Sequence, residues 1–422
     1  MVFVKKNSCR FVKFVFKKNI EKMKKIKFFP FSSFPWEGWD GVLFTLLLAL
    51  LGACSDSDVS PEPEPVIPAQ RTIIAYFDGN NSLASNLNTD IEEIKTGTVG
   101  LSANYNVIVF ANINGKKPYI AEMAGGKKTV VREWDNTFFA TNPDSILSIM
   151  QWIVGKYPAN EYGIVFGGHG TGSIFTNDTI ATTMRPAYAY GNDYNTTPSQ
   201  KPLLWINTTT LATVISHLPR TRFIFFDCCL MQDIDVAGQL KKYTDYIIAP
   251  VCETPAEGAP YDKITPLFTI DNTEQMCDEL LTTYQAYCEQ TAKPICISAL
   301  RTYYVDDMQA KANIALQEVK QNLLTAPVTY DKYANVIYYY KQNTFADPCL
   351  YDLKSFLYEQ NQNNYLSDAT YNAFVEAQKR CIFTSRKSSQ WVNAQNRIDF
   401  TQFVVEDYNY GALSITRETL EN

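Results

Sequence analysis

Apolar positions along this chain follow two alternating patterns. Short unbroken apolar runs read as strands buried on both faces, and between them apolar residues recur at helical spacing. Thr72–Phe77, Tyr105–Ala111, Gly163–Phe166, Arg222–Phe226 and Asp245–Ala249 are the strand-like runs. Asp78-Gly79-Asn80-Asn81 closes the first of them with turn residues, and a helix over Ser85–Lys95 follows. Tyr119–Met123 with Thr129–Trp134 predicts a hairpin at one edge. Asn142-Pro143-Asp144 is a helix start by capping chemistry, ahead of Ile146, Leu147, Met150 and Ile153 at helical spacing.

Residues 172–204 are polar and turn-rich, a long excursion from the core. Thr208–Leu218 returns as a helix carrying His217, and another helix runs to about Leu240. Beyond Gly258 the pattern is mostly helical, over Thr273–Gln290, Val305–Leu324, Asp347–Gln360 and Ala369–Lys379, with short strands at Ile295–Leu300 and Gly411–Ile415. Strands that alternate with helices predict an α/β fold with a mainly parallel sheet covered by helices. Its core spans 71–300, and a helix-rich C-terminal region, 301–422, packs on that core.

The chain ahead of the core changes character twice. A lysine-rich segment precedes the apolar run Gly41–Leu51, which is too short for a mature membrane span. Basic, apolar and then small residues form the grammar of an export signal, assigned to 1–53. Leu51-Gly52-Ala53-Cys54 resembles the bacterial lipobox, in which the cysteine is diacylated and becomes the first mature residue. Met23 is a more natural start than Met1, because it leaves a signal of ordinary length. Residues 54–70, with Pro61-Glu62-Pro63-Glu64-Pro65, form an acidic, proline-spaced tether. The acidic residues after Cys54 resemble surface-export signals of Bacteroidetes lipoproteins, and ordinary linker composition accounts for them equally. The expected location is the cell envelope, as an outer-membrane lipoprotein exposed at the surface.

Composition narrows the chemistry. With 46% hydrophobic and 14% aromatic residues, the chain can bury a sizeable core. Residues 54–422 hold 28 basic and 41 acidic side chains, net −13, which argues against a nucleic-acid partner. The two histidines, His169 and His217, nearly exclude multi-histidine zinc sites, and no metal or cofactor is called for. A calcium requirement is not written in these residues. Cys252, Cys277, Cys288, Cys296, Cys349 and Cys381 show no metal spacing and read as core thiols or, after export, one or two disulfides.

His169 and Cys229 each follow a core strand immediately, where the carboxyl ends of parallel strands form ligand crevices. A thiol beside an imidazole is a potential nucleophile, because the base raises the thiolate fraction. The amides of Gly170 and Cys229 could receive an oxyanion. Cys228, the next residue back along the strand, is expected to face the core. His217 reads as an ordinary helix residue, and the plainer alternative for Asp227 is a cap on the helix that follows it.

Strand-His-Gly followed by strand-Asp-x-Cys resembles the caspase-like cysteine peptidases, and the finer match is to the clostripain family. Tyr76–Leu83, Tyr157-Pro158-Ala159, Gly163–Gly172, Phe225–Met231 and Asp245–Ala249 carry that resemblance, over roughly residues 71–270. Departures are Cys228 where a small residue is usual, Gly168 before the histidine, and Ser173 where an aromatic often follows the glycines. The resemblance implies a caspase-like α/β/α sandwich, with Cys229 as nucleophile and His169 as general base and acid. It implies peptide or protein substrates cut after Arg or Lys, with Asp227, Glu253 and Glu257 as the acidic residues of the substrate pocket. It also implies self-cleavage in the loop after the histidine, where Arg185 is the only basic residue before Lys201. The resulting reading is an exported, lipid-anchored cysteine endopeptidase, expected to be a monomer. The rival is a catalytically silent surface lipoprotein that keeps the fold as a binding module.

Overall fold

The strand-like runs of the sequence meet side by side in one sheet. The computed structural model describes residues 67–135, 140–173, 189–194, 203–341, 347–388, 390–393, 396–399, 406 and 408–421. In chain order the first elements are β1 (Ala69–Gly79), α1 (Ala84–Gly97), β2 (Tyr105–Ile113), β3 (Tyr119–Ala124), β4 (Lys127–Glu133) and α2 (Pro143–Lys156). Next come β5 (Ala159–Gly167), β6 (Gly170–Gly172), β7 (Ala189–Tyr194), β8 (Leu203–Asn207) and α3 (Thr208–Ile215). They are followed by β9 (Thr221–Asp227), α4 (Ile234–Leu240), β10 (Thr244–Pro250), α5 (Tyr261–Ile264), α6 (Thr273–Gln290), β11 (Cys296–Arg301) and α7 (Val305–Leu323). The C-terminal part holds β12 (Tyr338–Tyr340), β13 (Leu350–Asp352), α8 (Leu353–Gln362), α9 (Asp368–Cys381) and β14 (Ile382–Lys387). It closes with β15 (Gln390–Asn393), β16 (Asn396–Asp399), β17 (Ser414–Thr416) and α10 (Arg417–Glu421).

The main sheet has nine strands in the order β14-β11-β10-β9-β5-β1-β2-β3-β4. Its centre, β10-β9-β5-β1-β2, is parallel, and both edges are closed by antiparallel strands. Alternate residues of each central strand feed opposite cores, because side chains leave a strand on alternating faces. Tyr76, Phe166 and Phe226 enter one cluster with residues of α2, α3, α4 and α7. Phe77, Val165 and Phe225 enter the other with α1, α5 and α6. Each buried phenylalanine stabilises the sandwich by about 2–3 kcal/mol. The result is an α/β/α sandwich.

From β1 the chain moves one way to β2 and then the other way to β5, β9 and β10. A parallel sheet opens a crevice at the carboxyl ends of its strands where the order reverses in this manner. The ends of β1, β5, β9 and β10 are therefore where ligand chemistry belongs.

Two sequence expectations shift in the C-terminal part. The helix expected from Asp347 begins at Leu353, because Leu350–Asp352 pairs with Ser414–Thr416 and Asp352 caps the helix, accepting the Ser355 N–H at 2.8 Å. Beyond residue 300 the chain does more than pack on the core: β14 pairs with β11 and becomes an edge strand of the main sheet. Among the described residues no helix is long and apolar enough to cross a membrane.

Candidate active site

Strands β5 and β9 run in parallel with Gly167 opposite Asp227. Two residues further along each chain come His169 and Cys229, so both leave the sheet edge at one level. Cys228 turns inward, fully buried, and its thiol donates to the Phe166 carbonyl at 3.0 Å. Cys229 turns outward and is half-buried. The turn behind it is tight: Leu230 adopts φ 66°, a left-handed conformation that costs a non-glycine residue about 1 kcal/mol or more. The Leu230 N–H, donating to the Cys252 carbonyl at 3.1 Å, holds that turn in place.

The glycines after His169 have a steric reason. A Cβ on Gly170 would lie 2.6 Å from the Cys229 carbonyl oxygen, and one on Gly172 2.0 Å from that of Leu230. Glycine alone lets the histidine hairpin press so closely on the cysteine turn.

His169 and Cys229 line one cavity of about 220 Å³, together with Asp90, Asp227, Glu253 and Thr254. Each of the two is held by a different neighbour. The Cys229 sulfur accepts the Thr254 N–H at 3.3 Å and lies 3.5 Å from the Thr254 hydroxyl. His169 Nε2 lies 3.0 Å from Ser82 Oγ, and the Trp205 ring packs against the imidazole with centroids 6.3 Å apart. Ser82 sits in the turn after β1, shaped by Asn81, whose amide donates to the Asp78 carbonyl at 3.0 Å while its oxygen accepts the Leu83 N–H at 2.9 Å. With Nε2 engaged, Nδ1 is the nitrogen left for a thiol. Among the described residues no hydrogen bond yet joins ring and sulfur.

Burial sets the protonation of the pair. It lowers the His169 pKa from its ordinary 6.5, so the ring is neutral and able to accept a proton at pH 7. It raises the Cys229 thiol above 9.0, against the opposing hydrogen bonds from Thr254. The resting pair is thus a thiol with a neutral imidazole, suited to proton transfer during attack.

Two backbone amides beside the pair make no backbone hydrogen bond among the described residues. Gly191 N–H donates to the His169 carbonyl at 2.9 Å, which makes Gly170 and Tyr190 a non-hydrogen-bonded pair and leaves the Gly170 amide outside the ladder. Among the described residues the Cys229 N–H likewise donates to nothing.

The acidic residues occupy different settings. Asp227 is buried at the cavity floor, accepting the Ala259 N–H at 2.9 Å and the hydroxyls of Tyr261 and Tyr284 at 3.0 and 3.1 Å. It therefore caps no helix. Glu253 lines the cavity with Oε2 buried and unpartnered, and burial pushes its pKa up to about 7. Glu257 is not brought to the cavity: it is exposed and ion-paired with Lys293 at 2.5 Å. His217 lies on the surface just past α3, its Nδ1 2.8 Å from the Thr213 carbonyl oxygen. Arg185 and Cys54 lie outside the described residues.

The family model for the clostripain family matches residues 75–411. The chain belongs to the clostripain family. It is accordingly a cysteine endopeptidase with a caspase-like fold. Two solved clostripain-family structures share that fold with it. An inactive zymogen C11 protease from Parabacteroides distasonis is 21% identical with TM-score 0.65, covering 84% of this chain and 95% of its own. A secreted C11 cysteine protease from Bacteroides thetaiotaomicron, solved with an irreversible peptide inhibitor, is 20% identical with TM-score 0.65, covering 83% and 94%. No curated protein matches the chain.

In this clostripain-family enzyme three residues of the cavity region had no role in the sequence reading: Ser82, Thr254 and Asp90. For Ser82 and Thr254 no pattern marks the contact. Asp90 carried a signal, since Leu87, Asp90, Ile91 and Ile94 all lie on the buried face of α1. A carboxylate on an apolar helix face demands a partner or a purpose.

Proposed function

We propose that this enzyme is an exported, lipid-anchored endopeptidase that cleaves after Arg or Lys through a Cys229/His169 dyad. The observation carrying the reading is that both residues open into one cavity whose floor is acidic. A substrate cation seated against Asp227, with Glu253 at the wall, makes charge-assisted hydrogen bonds of about 1.5–3 kcal/mol. That is enough to prefer basic over neutral side chains by one to two orders of magnitude.

With the basic side chain in place, the carbonyl carbon sits over Cys229. His169 takes the thiol proton as sulfur attacks, and the amides of Gly170 and Cys229 receive the developing oxyanion. Collapse of the intermediate breaks the C–N bond, and His169 returns the proton to the leaving amine. Water, deprotonated by the same ring, then attacks the thioester and releases the acid with the thiol restored. Anchoring by a lipid on Cys54 would place this cavity in the cell envelope, as an outer-membrane lipoprotein facing outward. Self-cleavage after Arg185 is part of the same reading.

A peptide-library digest with the full chain under reducing conditions tests it. Cuts after Arg and Lys, absent in Cys229→Ala, are expected; cuts after other residues would overturn the specificity. Retained lipid labelling in Cys54→Ser would refute the anchor, and an uncut, fully active chain would refute processing at Arg185.

A further inference from the structure

We propose that Asp90, on α1, is the second acid of the specificity pocket, and that a substrate guanidinium or ammonium group docks between it and Asp227. This rests on the reading that the enzyme cleaves after basic residues, and assigns that preference to a pair from two distant parts of the chain.

Three observations carry it. Asp90 lines the cavity yet is only 1% exposed, and its Oδ1 has no hydrogen-bond partner. Its carboxyl group and that of Asp227 converge on Gly258, where a Cβ would lie 2.8 Å from Asp227 Oδ2 and 3.2 Å from Asp90 Oδ2. Gly258 has φ 65°, so glycine fits there on conformational grounds too, and its bare backbone leaves both oxygens room. Finally, among the described residues no Lys or Arg pairs with either carboxyl group. Two buried acids without a counter-charge describe a pocket whose cation arrives with the substrate.

The groups facing Asp90 are acidic or neutral. Asp227 comes from β9, Tyr261 from α5, and Tyr284 and Tyr287 from α6. On α1 itself Glu93 adds a like charge while accepting the Tyr261 N–H at 3.1 Å. The nearby lysines serve other acids: Lys95 and Lys128 pair with Glu92, and Lys263 bears on Glu93. Burial first, then Asp227 and Glu93, push the Asp90 pKa up to about 10, so the empty pocket holds a proton at neutral pH. An entering cation replaces that proton, and a planar guanidinium can present N–H pairs to both carboxylates.

Benzamidine, a compact amidinium, is the probe, with the full chain carrying Cys229→Ala. Titration calorimetry at pH 7 in two buffers of different ionisation heat reads protons exchanged. Release of close to one proton per benzamidine bound is expected; binding without proton release overturns the proposal. Kinetics on an Arg-containing reporter peptide give the second arm. Asp90→Asn and Asp227→Asn should each raise KM about 10- to 100-fold. Alkylation of Cys229 by iodoacetamide, which needs no cation in the pocket, reads the nucleophile separately: a fall in alkylation as large as the rise in KM would mean that a variant disturbs Cys229 rather than cation binding, and would overturn the assignment. If Asp227→Asn raises KM and a folded Asp90→Asn does not, Asp90 has no part in specificity and the preference for basic residues stands without it. If the wild type cuts after no basic residue at all, the specificity reading itself fails and the pair loses its purpose.

Discussion

His169 directs Nε2 at the Ser82 hydroxyl, 3.0 Å away, and among the described residues its Nδ1 makes no hydrogen bond. The turn after β1 thus orients a ring that belongs to the end of β5. Ser82 is exposed, so water competes for the contact and its contribution is modest. On the proposed dyad, Ser82→Ala should lower kcat/KM about 3- to 30-fold, mostly through kcat, because misaiming His169 would slow attack without weakening substrate binding. Ser82→Thr should recover most of the loss. Unchanged kcat in Ser82→Ala would show that the ring needs no such guide.

The thiol raised by burial makes a second prediction. Inactivation of the free enzyme by iodoacetamide should climb with pH and keep climbing through pH 9, since the thiolate is the reactive form and its pKa lies above the ordinary 9.0. Thr254→Val removes one of the hydrogen bonds that favour the thiolate, so its profile should move to still higher pH. A plateau below pH 8 in the wild type would mean instead that a thiolate–imidazolium pair already exists at rest.

How much of this was legible in the sequence depended on whether a residue's surroundings were local. The central strands announce themselves because a strand buried on both faces must be apolar throughout, as Thr72–Phe77 and Arg222–Phe226 are. His169 and Cys229 stood out because each directly follows such a strand. Strand β14 did not: Ile382–Lys387 is an edge strand of half-buried residues, and its pattern is too polar to separate from the end of α9. Glu257 and Glu253 are alike in sequence, four residues apart. Only the turn that follows β10 decides that one meets the cavity and the other meets Lys293. Asp90 and Asp227 are brought together by the sandwich itself, which no local pattern reports.

Gly172 offers a test of how the histidine hairpin and the cysteine turn are fitted. Its φ of 54° and the 2.0 Å approach to the Leu230 carbonyl oxygen both exclude a side chain. Gly172→Ala should cost about 2 kcal/mol or more, through strain and displaced backbone, and should depress activity beyond what the lost stability explains. Gly155→Ala is the control, because a Cβ there meets nothing within 4 Å and the site is helical, so the change should be neutral or slightly stabilising. Thermal melts and kcat/KM of the two variants, measured side by side, decide the matter; equal behaviour would mean that the hairpin tolerates a wider gap.

Asp90 makes a prediction about stability that is independent of catalysis. Its pKa is 3.8 as an ordinary side chain and about 10 in the folded protein. Between those values the folded state holds a proton that the unfolded chain has released, so folding takes up a proton and stability falls as pH rises. The contribution is fully present below about pH 4 and is lost progressively up to about pH 10. Asp90→Asn has no such proton to hold. Its melting temperature should be close to that of the wild type at pH 4 and exceed it by a few degrees at pH 8, a shift readable by calorimetry. Asp227→Asn should flatten the wild-type slope in part, because it removes the charge that is the second cause of the shift after burial. Parallel melting curves for wild type and Asp90→Asn across this range would show that the Asp90 carboxyl ionises freely in the folded state. A gain in the variant, by contrast, would mean that the native sequence keeps a destabilising carboxyl at the cavity floor, as sites do when binding rather than stability determines the residue.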